Sequence, residues 1–232
     1  MSQEAKIHLS PFETELVNNT EWIFTKQIII EKVYQLFGAL QSQYENVLQN
    51  DTEAPRELLH RKGAKISKGE NYNRLPYLIL DYPAIFGREN IFAVRTMFWW
   101  GNFFSVSVHL SGRYFKGQKH INKSIPFLKE TNFFVCINEN EWEHHFSDLN
   151  YVNANDLNDM EIAQLKEKSF FKAGKKIALK QWDRVPEFLE KTFGEIIELI
   201  RVSLKMRDKI VQKNGGDKIR SLSFSDRELL LL

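Results

Sequence analysis

The spacing of apolar residues along the chain changes from a helical period to a strand period and back. From Thr20 to Leu48, apolar side chains recur at every third or fourth position, which predicts one long amphipathic helix. The preceding Ser10-Pro11-Phe12-Glu13 is typical of a helix start, with a capping Ser, a Pro at the first position and a Glu three residues after the cap. We therefore expect N-terminal helices over about residues 11–49.

The centre of the chain, about residues 75–146, has the pattern of β-strands. Its apolar runs are short, and Gly, Pro and Asn residues separate them. Four runs fit strands, and they are residues 75–82, 91–100, 103–111 and 133–138, with 142–146 as the candidate return of the last.

The clearest of these strand pairs is a hairpin joined by Gly101-Asn102. A two-residue turn at this place pairs Trp100 with Phe103, and the register then decides which side chains share a face. This register predicts one face with Thr96, Phe98, Trp100, Phe103, Ser105, Ser107 and His109, and an opposite face with Arg95, Met97, Trp99, Phe104, Val106 and Val108.

The helical period returns in the C-terminal third. Asn158 opens a segment that resembles a capping box, and a longer apolar stripe runs on towards Gly215-Gly216. We expect helices over about 158–213 and a tail over 217–232. Residues 175–182 fit a strand as well as a helix, and the sequence leaves this open.

The order of these elements predicts a single α+β domain over residues 1–232, with an antiparallel sheet in the middle and long helices at both ends. A chain of 27.4 kDa buries roughly 70% of its unfolded surface, which is enough for one core without disulfides. The single Cys136 is expected to be a small core residue. The composition, 43% hydrophobic and 27% charged, excludes fibrous, disordered and membrane-spanning classes. With no apolar leader at the start, we expect a cytoplasmic protein.

Charge is segregated along the chain although the net charge is only +2. Residues 56–74 and 113–123 are basic, whereas residues 130–165 carry eight carboxylates and no Lys or Arg. Lysines then return from Lys166 onward. These blocks are either solvated faces or segments that face each other, within the fold or across a symmetric dimer.

The hairpin offers a candidate ligand site on the sheet. Small polar residues beside an aromatic wall suit a shallow pocket for a small molecule, and the alternative is the solvent side of a half-buried sheet. Arg95 falls beside Val108 in the predicted register, so its guanidinium extends to solvent, pairs with a carboxylate such as Asp81 or binds an anionic ligand. The candidate ligand-binding residues are Asp81, Arg95, Thr96, Ser107 and His109. The sequence assigns no catalytic residue and implies no cofactor.

The hairpin tip is unusually aromatic. Phe98, Trp99, Trp100 and Phe103 are either covered on both sides or exposed as a contact patch. An exposed patch would serve a homodimer or another protein partner, together with the apolar end at residues 229–232.

A metal site depends on the conformation of residues 141–148. In a helix, Glu141, His144, His145 and Asp148 would share one face with the spacing of metal ligands, whereas a strand would separate them. The sequence does not decide between helix and strand, and surface histidines in an acidic loop are the simpler interpretation. A second Glu-x-x-His occurs at Glu57 and His60.

RNA or single-stranded DNA would bind the two basic blocks, with Tyr72, Tyr114 and Phe115 as stacking groups. The small net charge argues against this partner. Phosphate-loop, dinucleotide-binding, nucleophile-elbow and kinase motifs are all missing from the sequence.

The central run 72–114 resembles a small family of uncharacterised bacterial proteins of similar length. The similarity lies in Leu75-Pro76-Tyr77-Leu78-Ile79-Leu80-Asp81-Tyr82-Pro83 and Met97-Phe98-Trp99-Trp100-Gly101-Asn102. It implies a single domain in a bacterial cytoplasm and transfers no site residue. The first hypothesis is thus a binding or interaction protein without catalytic activity. The alternatives are a small-molecule binder or enzyme with a pocket on the sheet, and a nucleic-acid-binding protein.

Overall fold

The computed structural model describes residues 8–51 and 64–204 of the chain. The described part is an α+β fold with a central antiparallel sheet and helices at both ends, as the sequence predicts. Its helices are α1 (Pro11–Asn18), α2 (Thr20–Gln49), α3 (Gln118–Glu130), α4 (Asp159–Glu167) and α5 (Val185–Leu204). Its strands are β1 (Lys65–Tyr72), β2 (Leu75–Phe86), β3 (Ile91–Trp99), β4 (Phe103–Ser111), β5 (Phe134–Cys136), β6 (Tyr151–Asn153) and β7 (Phe170–Ala178). The Glu57 and His60 pair, Gly215-Gly216 and residues 229–232 lie outside the described residues.

The seven strands lie in the order β1-β2-β3-β4-β7-β5-β6, and every pair is antiparallel. The late strand β7 lies between β4 and β5, so it joins a four-stranded meander to a two-stranded one. Residues 175–182, which the sequence left open, continue β7 to Ala178 and then form a 3₁₀ helix over Leu179–Arg184.

Helices α2 and α5 pack on one side of the sheet, which we call the helix-covered face. The helix α2 begins where Asn19 accepts a hydrogen bond from the N–H of Trp22, and its apolar stripe turns towards the strands. Phe37 of α2 meets Phe104 of β4 edge to face, and Tyr44 of α2 stacks on Phe193 of α5. This face contains most of the hydrophobic core.

The other side of the sheet is covered by residues 137–150, which connect β5 to β6 and which we call the acidic loop. The loop contains four carboxylates and has neither helical nor strand conformation. Phe146 of the loop packs on Phe103 of β4, where the ring centroids are 5.4 Å apart. We call this side the loop-covered face.

The hairpin register is one residue away from the predicted one. Trp99 pairs with Phe103, so the turn comprises Trp100, Gly101 and Asn102, with Gly101 at a φ of 70°. A slip of one residue exchanges the faces of one arm relative to the other. Thr96 therefore lies on the helix-covered face, whereas Arg95 shares the loop-covered face with Ser107 and His109.

Several elements differ from the sequence-based expectation. Strand β1 lies before the predicted β-rich centre and was not expected, because it is half-exposed and mostly polar and so lacks an apolar alternation. Strand β2 continues past Pro83 to Phe86 through a register shift between Asp81 and Ala84. Helix α3 covers most of the second basic block. The return of β5 is β6, and not residues 142–146.

Candidate functional site

The loop-covered face has a polar cluster centred on Arg95. Its guanidinium binds the Asp81 carboxylate on the neighbouring strand through two hydrogen bonds, of 2.8 Å from Nε and 2.9 Å from Nη2. Both side chains are largely buried, and the two residues are direct partners in the β2–β3 register. The carboxylate partner expected for Arg95 is therefore Asp81, and a bidentate pair of this kind is strong and geometrically fixed.

His144 of the acidic loop lies between Arg95 and a buried lysine. Its Nε2 is 2.8 Å from Nη1 of Arg95, and its Nδ1 is 3.0 Å from Nζ of Lys172 on β7. Burial, the largest cause, and the neighbouring Lys172 and Arg95 lower the pKa of His144 far below its usual range, so the imidazole is neutral. Both ring nitrogens of His144 thus have hydrogen-bond partners within the chain.

Lys172 is the most deeply buried charged-type residue of the cluster, with 1% of its surface exposed. Its Nζ donates to the main-chain carbonyls of Glu141 and Glu143, the former at 2.9 Å. Burial, the largest cause, lowers the pKa of Lys172 to about 7. Lys172 was not among the predicted site residues, because β7 contains three lysines and the sequence does not indicate which of them is buried.

His109 lies next to this group and binds the loop from β4. Its Nε2 is 2.9 Å from the Glu141 carboxylate, and the side chain is buried. Burial, with Lys172 and Arg95 nearby, lowers the pKa of His109 to about 3. At neutral pH the contact is therefore a hydrogen bond from a neutral imidazole to a carboxylate.

Tyr72 joins the end of β1 to the same loop. Its hydroxyl accepts hydrogen bonds from the main-chain N–H groups of His144 and His145 and lies 2.9 Å from Nδ1 of His145. It also contacts the Glu143 carboxylate at 3.2 Å, and burial raises the pKa of Tyr72 to about 12. Asn150 binds the far side of His145. Sequence reasoning had treated Tyr72 only as a stacking group for nucleic acid.

The five predicted ligand residues do not form one site. Asp81, Arg95, Ser107 and His109 lie on the loop-covered face, where Ser107 is buried opposite Arg95 in the strand register. Thr96 lies on the helix-covered face and bonds the Tyr44 hydroxyl at 3.2 Å. A cleft of about 520 Å³ elsewhere is lined by other residues, which are Glu130, Thr131, Asn132, Phe134, Lys175, Lys176, Phe188, Lys191 and Glu195.

The predicted metal set is separated by its own contacts. Glu141 faces His109, His144 faces Arg95 and Lys172, and Asp148 is exposed. Within residues 8–51 and 64–204, no group of three or more His, Cys, Asp or Glu side chains could hold a metal ion. The metal-ligand spacing required a helix, whereas the segment is an irregular loop, so these four side chains do not share one face.

The aromatic hairpin tip is covered within the chain. Phe98, Trp99 and Phe103 are 1%, 7% and 8% exposed. Trp99 donates its indole N–H to the carbonyl of Tyr72, and Trp100 meets Trp22 of α2 edge to face. Of the two alternatives for this tip, coverage on both sides is the observed one.

Apolar exposure is concentrated instead on the N-terminal helices. Helix α1 has no buried residue, and Phe12 and Phe24 are 65% and 67% exposed. Phe24 and Ile28 are one turn apart and lie on the side of α2 opposite the buried Val33. We call this the N-terminal apolar surface, which consists of Leu9, Phe12, Leu16, Val17, Trp22, Ile23, Phe24 and Ile28.

The segregated charges meet within the fold at the acidic loop. Lys168 donates to the carbonyls of Ile137 and Asn138 at the start of the loop, and Lys172 donates to two carbonyls in its middle. Lys176 lies 3.5 Å from the carbonyl of Phe146. The acidic loop and the lysines of residues 168–176 therefore face each other within one chain, which is one of the two expected arrangements.

Comparisons with protein-family models, with curated proteins and with solved structures find no match to this chain. Among the residues that the structure describes, no helix is both long and apolar enough to cross a membrane. The polar cluster and the N-terminal apolar surface are therefore the features from which a function can be proposed.

Proposed function

We propose that the chain is a non-catalytic interaction protein of the bacterial cytoplasm that associates with a second copy of itself through the N-terminal apolar surface. The observation that carries this proposal is the exposure of eight large apolar side chains in one short segment, residues 9–28. Phe24 and Ile28 face away from the sheet, whereas Trp22 lies towards Trp100, and apolar side chains exposed in such number are typical of interaction sites.

The size of the surface supports a stable contact. At about 150–250 Å² for a whole aromatic side chain and somewhat less for an aliphatic one, the exposed fractions amount to roughly 800 Å² of apolar area. A specific protein–protein interface of standard size buries about 800 Å² on each partner. The exposed apolar area is therefore of the order that a symmetric dimer needs, with the side of α2 that carries Phe24 and Ile28 at its centre.

The charges around the surface favour a protein partner over a polyanion. Glu13, Glu15 and Glu21 lie among the exposed apolar residues, and Lys26 is paired with Glu70 on β1. Such an acidic border repels nucleic acids and anionic lipid headgroups. The proposal of a homodimer thus moves from the hairpin tip, which is covered, to the two N-terminal helices.

The polar cluster supports the non-catalytic part of the proposal. The Arg95 charge is paired with Asp81, His109 binds Glu141, and Lys172 binds the loop backbone. These contacts fasten the acidic loop to the sheet and leave Lys172 almost without contact with solvent. The groups that would serve a substrate are used to hold the fold.

The test is the association state of the chain measured by analytical ultracentrifugation over a range of concentrations. We expect a reversible dimer in the wild type, and a dissociation constant at least about tenfold higher for Phe24→Glu, because a charge would be buried at the centre of the contact. The matched control is Met160→Glu on α4, where the replaced side chain is 68% exposed.

The control variant is expected to dimerise as the wild type does. A wild type that sediments as a monomer at every concentration would contradict the proposal. A Phe24→Glu variant that dimerises as tightly as Met160→Glu would contradict the choice of surface.

A further inference from the structure

The contacts of His144 determine where its proton lies. A guanidinium only donates hydrogen bonds and stays charged at any accessible pH, so Nε2 of His144, at 2.8 Å from Nη1 of Arg95, must accept. The neutral imidazole then carries its hydrogen on Nδ1. This N–H points at Nζ of Lys172, 3.0 Å away.

The same reasoning determines the charge of Lys172. An ammonium group has three donors and no lone pair, so it cannot accept the Nδ1–H of His144. A neutral amine has two N–H donors and one lone pair. Its two donors match the carbonyls of Glu141 and Glu143, and its lone pair matches His144. Every contact at Nζ is then satisfied.

We infer that Lys172 is held as a neutral amine while the acidic loop is closed on the sheet, and that release of the loop takes up a proton. The inference rests on the hydrogen-bond geometry of the row Arg95, His144, Lys172 and is independent of the proposed dimer. A protonated Lys172 would place an N–H against the Nδ1–H of His144. Moving the imidazole proton to Nε2 would only transfer the clash to Arg95.

The surroundings of Lys172 agree with this charge state. Desolvation is the largest cause that lowers its pKa to about 7, and Arg95 lowers it further. Glu141, Glu143 and Cys136 act in the opposite direction. The groups that face Lys172 are Arg95 on β3 with its partner Asp81 on β2, His109 on β4, Cys136 on β5, Tyr151 on β6, and Glu141, Glu143 and His144 of the loop.

The direction of the pH effect follows from the two states of the loop. With the loop open, Lys172 is solvated and its pKa returns towards the ordinary 10.5, whereas in the closed state the pKa is about 7. Between these values opening binds one proton, so the opening constant rises about tenfold for each unit of falling pH. Below pH 7 Lys172 is protonated in both states and adds nothing more. His144 and His109 bind further protons on opening below pH 6.5.

The first measurement is the charge of Lys172 in the wild-type protein. Lysine labelled with ¹³C and ¹⁵N is followed by NMR from pH 6 to pH 11, and Lys172 is assigned by its absence in Lys172→Met. We expect one lysine to titrate near pH 7, about three units below the others. Titration of Lys172 together with the other lysines above pH 9 would overturn the inference.

The second measurement is hydrogen exchange of the amides in residues 137–150, corrected for the intrinsic rate at each pH. The wild-type opening constant should rise about tenfold per unit between pH 9 and pH 7. In Lys172→Arg, which is charged at both pH values, the loop should be open more often and its opening constant should not change with pH.

The matched control is Lys168→Met, because Lys168 also donates to loop carbonyls but has no contact with His144 among the described residues. This variant should loosen the loop and retain the tenfold change per pH unit. A Lys172→Arg variant with the same pH dependence as Lys168→Met would overturn the inference.

Discussion

Helices α2 and α5 cover one face of the sheet almost entirely with apolar side chains, whereas the acidic loop covers the other face through charged and polar groups beside a smaller apolar cluster around Phe103 and Phe146. On the helix-covered face, burial of apolar area is the stabilising effect, and it is indifferent to pH. On the loop-covered face, each charge loses hydration and gains a partner, so the net stabilisation is small. The loop-covered face therefore has a fixed geometry, and its stability depends on pH.

The largest expected effect that distinguishes the faces is the response to acid. Burial lowers the pKa of His109 to about 3, of His120 to about 4 and of His144 further still, against 6.5 in the unfolded chain. Their contribution is complete above pH 6.5 and is lost as the pH falls towards the folded values, because unfolding then binds protons. Between pH 6.5 and pH 5 each imidazole removes about 2 kcal/mol from the free energy of unfolding, roughly 6 kcal/mol in total.

Urea denaturation at the two pH values measures this loss. His120 packs against Phe171 on the helix-covered side, and the other two imidazoles belong to the loop-covered face. His120→Phe should therefore keep about two thirds of the acid loss. If His120→Phe abolished the whole acid-dependent loss of stability, the acid sensitivity would belong to the helix-covered face, which would contradict this prediction.

The next effect, about 3–5 kcal/mol, is expected for Phe104→Ala on the helix-covered face. Phe104 has no exposed surface, and its ring contacts Phe37, Phe98 and Trp182. The loss comes from a cavity, so it should be equal at pH 7 and pH 5 in urea denaturation. Leu149→Ala, at a side chain 83% exposed, should cost less than about 0.5 kcal/mol. A loss for Phe104→Ala that changes with pH would contradict the division between the faces.

A somewhat smaller effect, about 3 kcal/mol, is expected for Asp81→Ala on the loop-covered face, because Arg95 would keep a buried charge without its carboxylate. The double variant Asp81→Ala with Arg95→Met should recover most of the loss in the same denaturation experiment. Asp148→Ala, which removes an exposed carboxylate of the acidic loop, is the control and should change little. If the double variant is no more stable than Asp81→Ala, an unpaired buried charge on Arg95 is not the cause of the loss.

Elements determined by local residues were predictable from the sequence. The capping boxes at Ser10 and Asn158 mark the starts of α1 and α4 as expected, because the cap and its returning carboxylate are three residues apart. The hairpin itself was also predicted. Its register was wrong by one residue, since Gly101 serves a three-residue turn as well as a two-residue one. That single slip moved Thr96 and Arg95 to the wrong faces.

The polar cluster could be predicted only in part because its members come from distant segments. The pairing of Arg95 with Asp81 followed from adjacent strands. Tyr72 comes from the edge strand β1, and Lys172 comes from β7, which lies near the acidic loop only because it pairs with β4 and β5. Local pattern carries no information about such a crossover.

The position of β7 in the sheet also determines how long strand edges stay exposed while the chain is being synthesised. The meander β1 to β4 ends in nine consecutive buried residues of β4, and the partners of these residues on β7 lie 59 to 75 positions further along the chain. Until residues 170–178 have left the ribosome, the nascent chain presents two open strand edges, one on β4 and one on β5. Such edges pair readily with foreign strands. Pairing of β7 covers both edges in one step, so we expect β7 to convert two aggregation-prone halves into one continuous seven-stranded sheet.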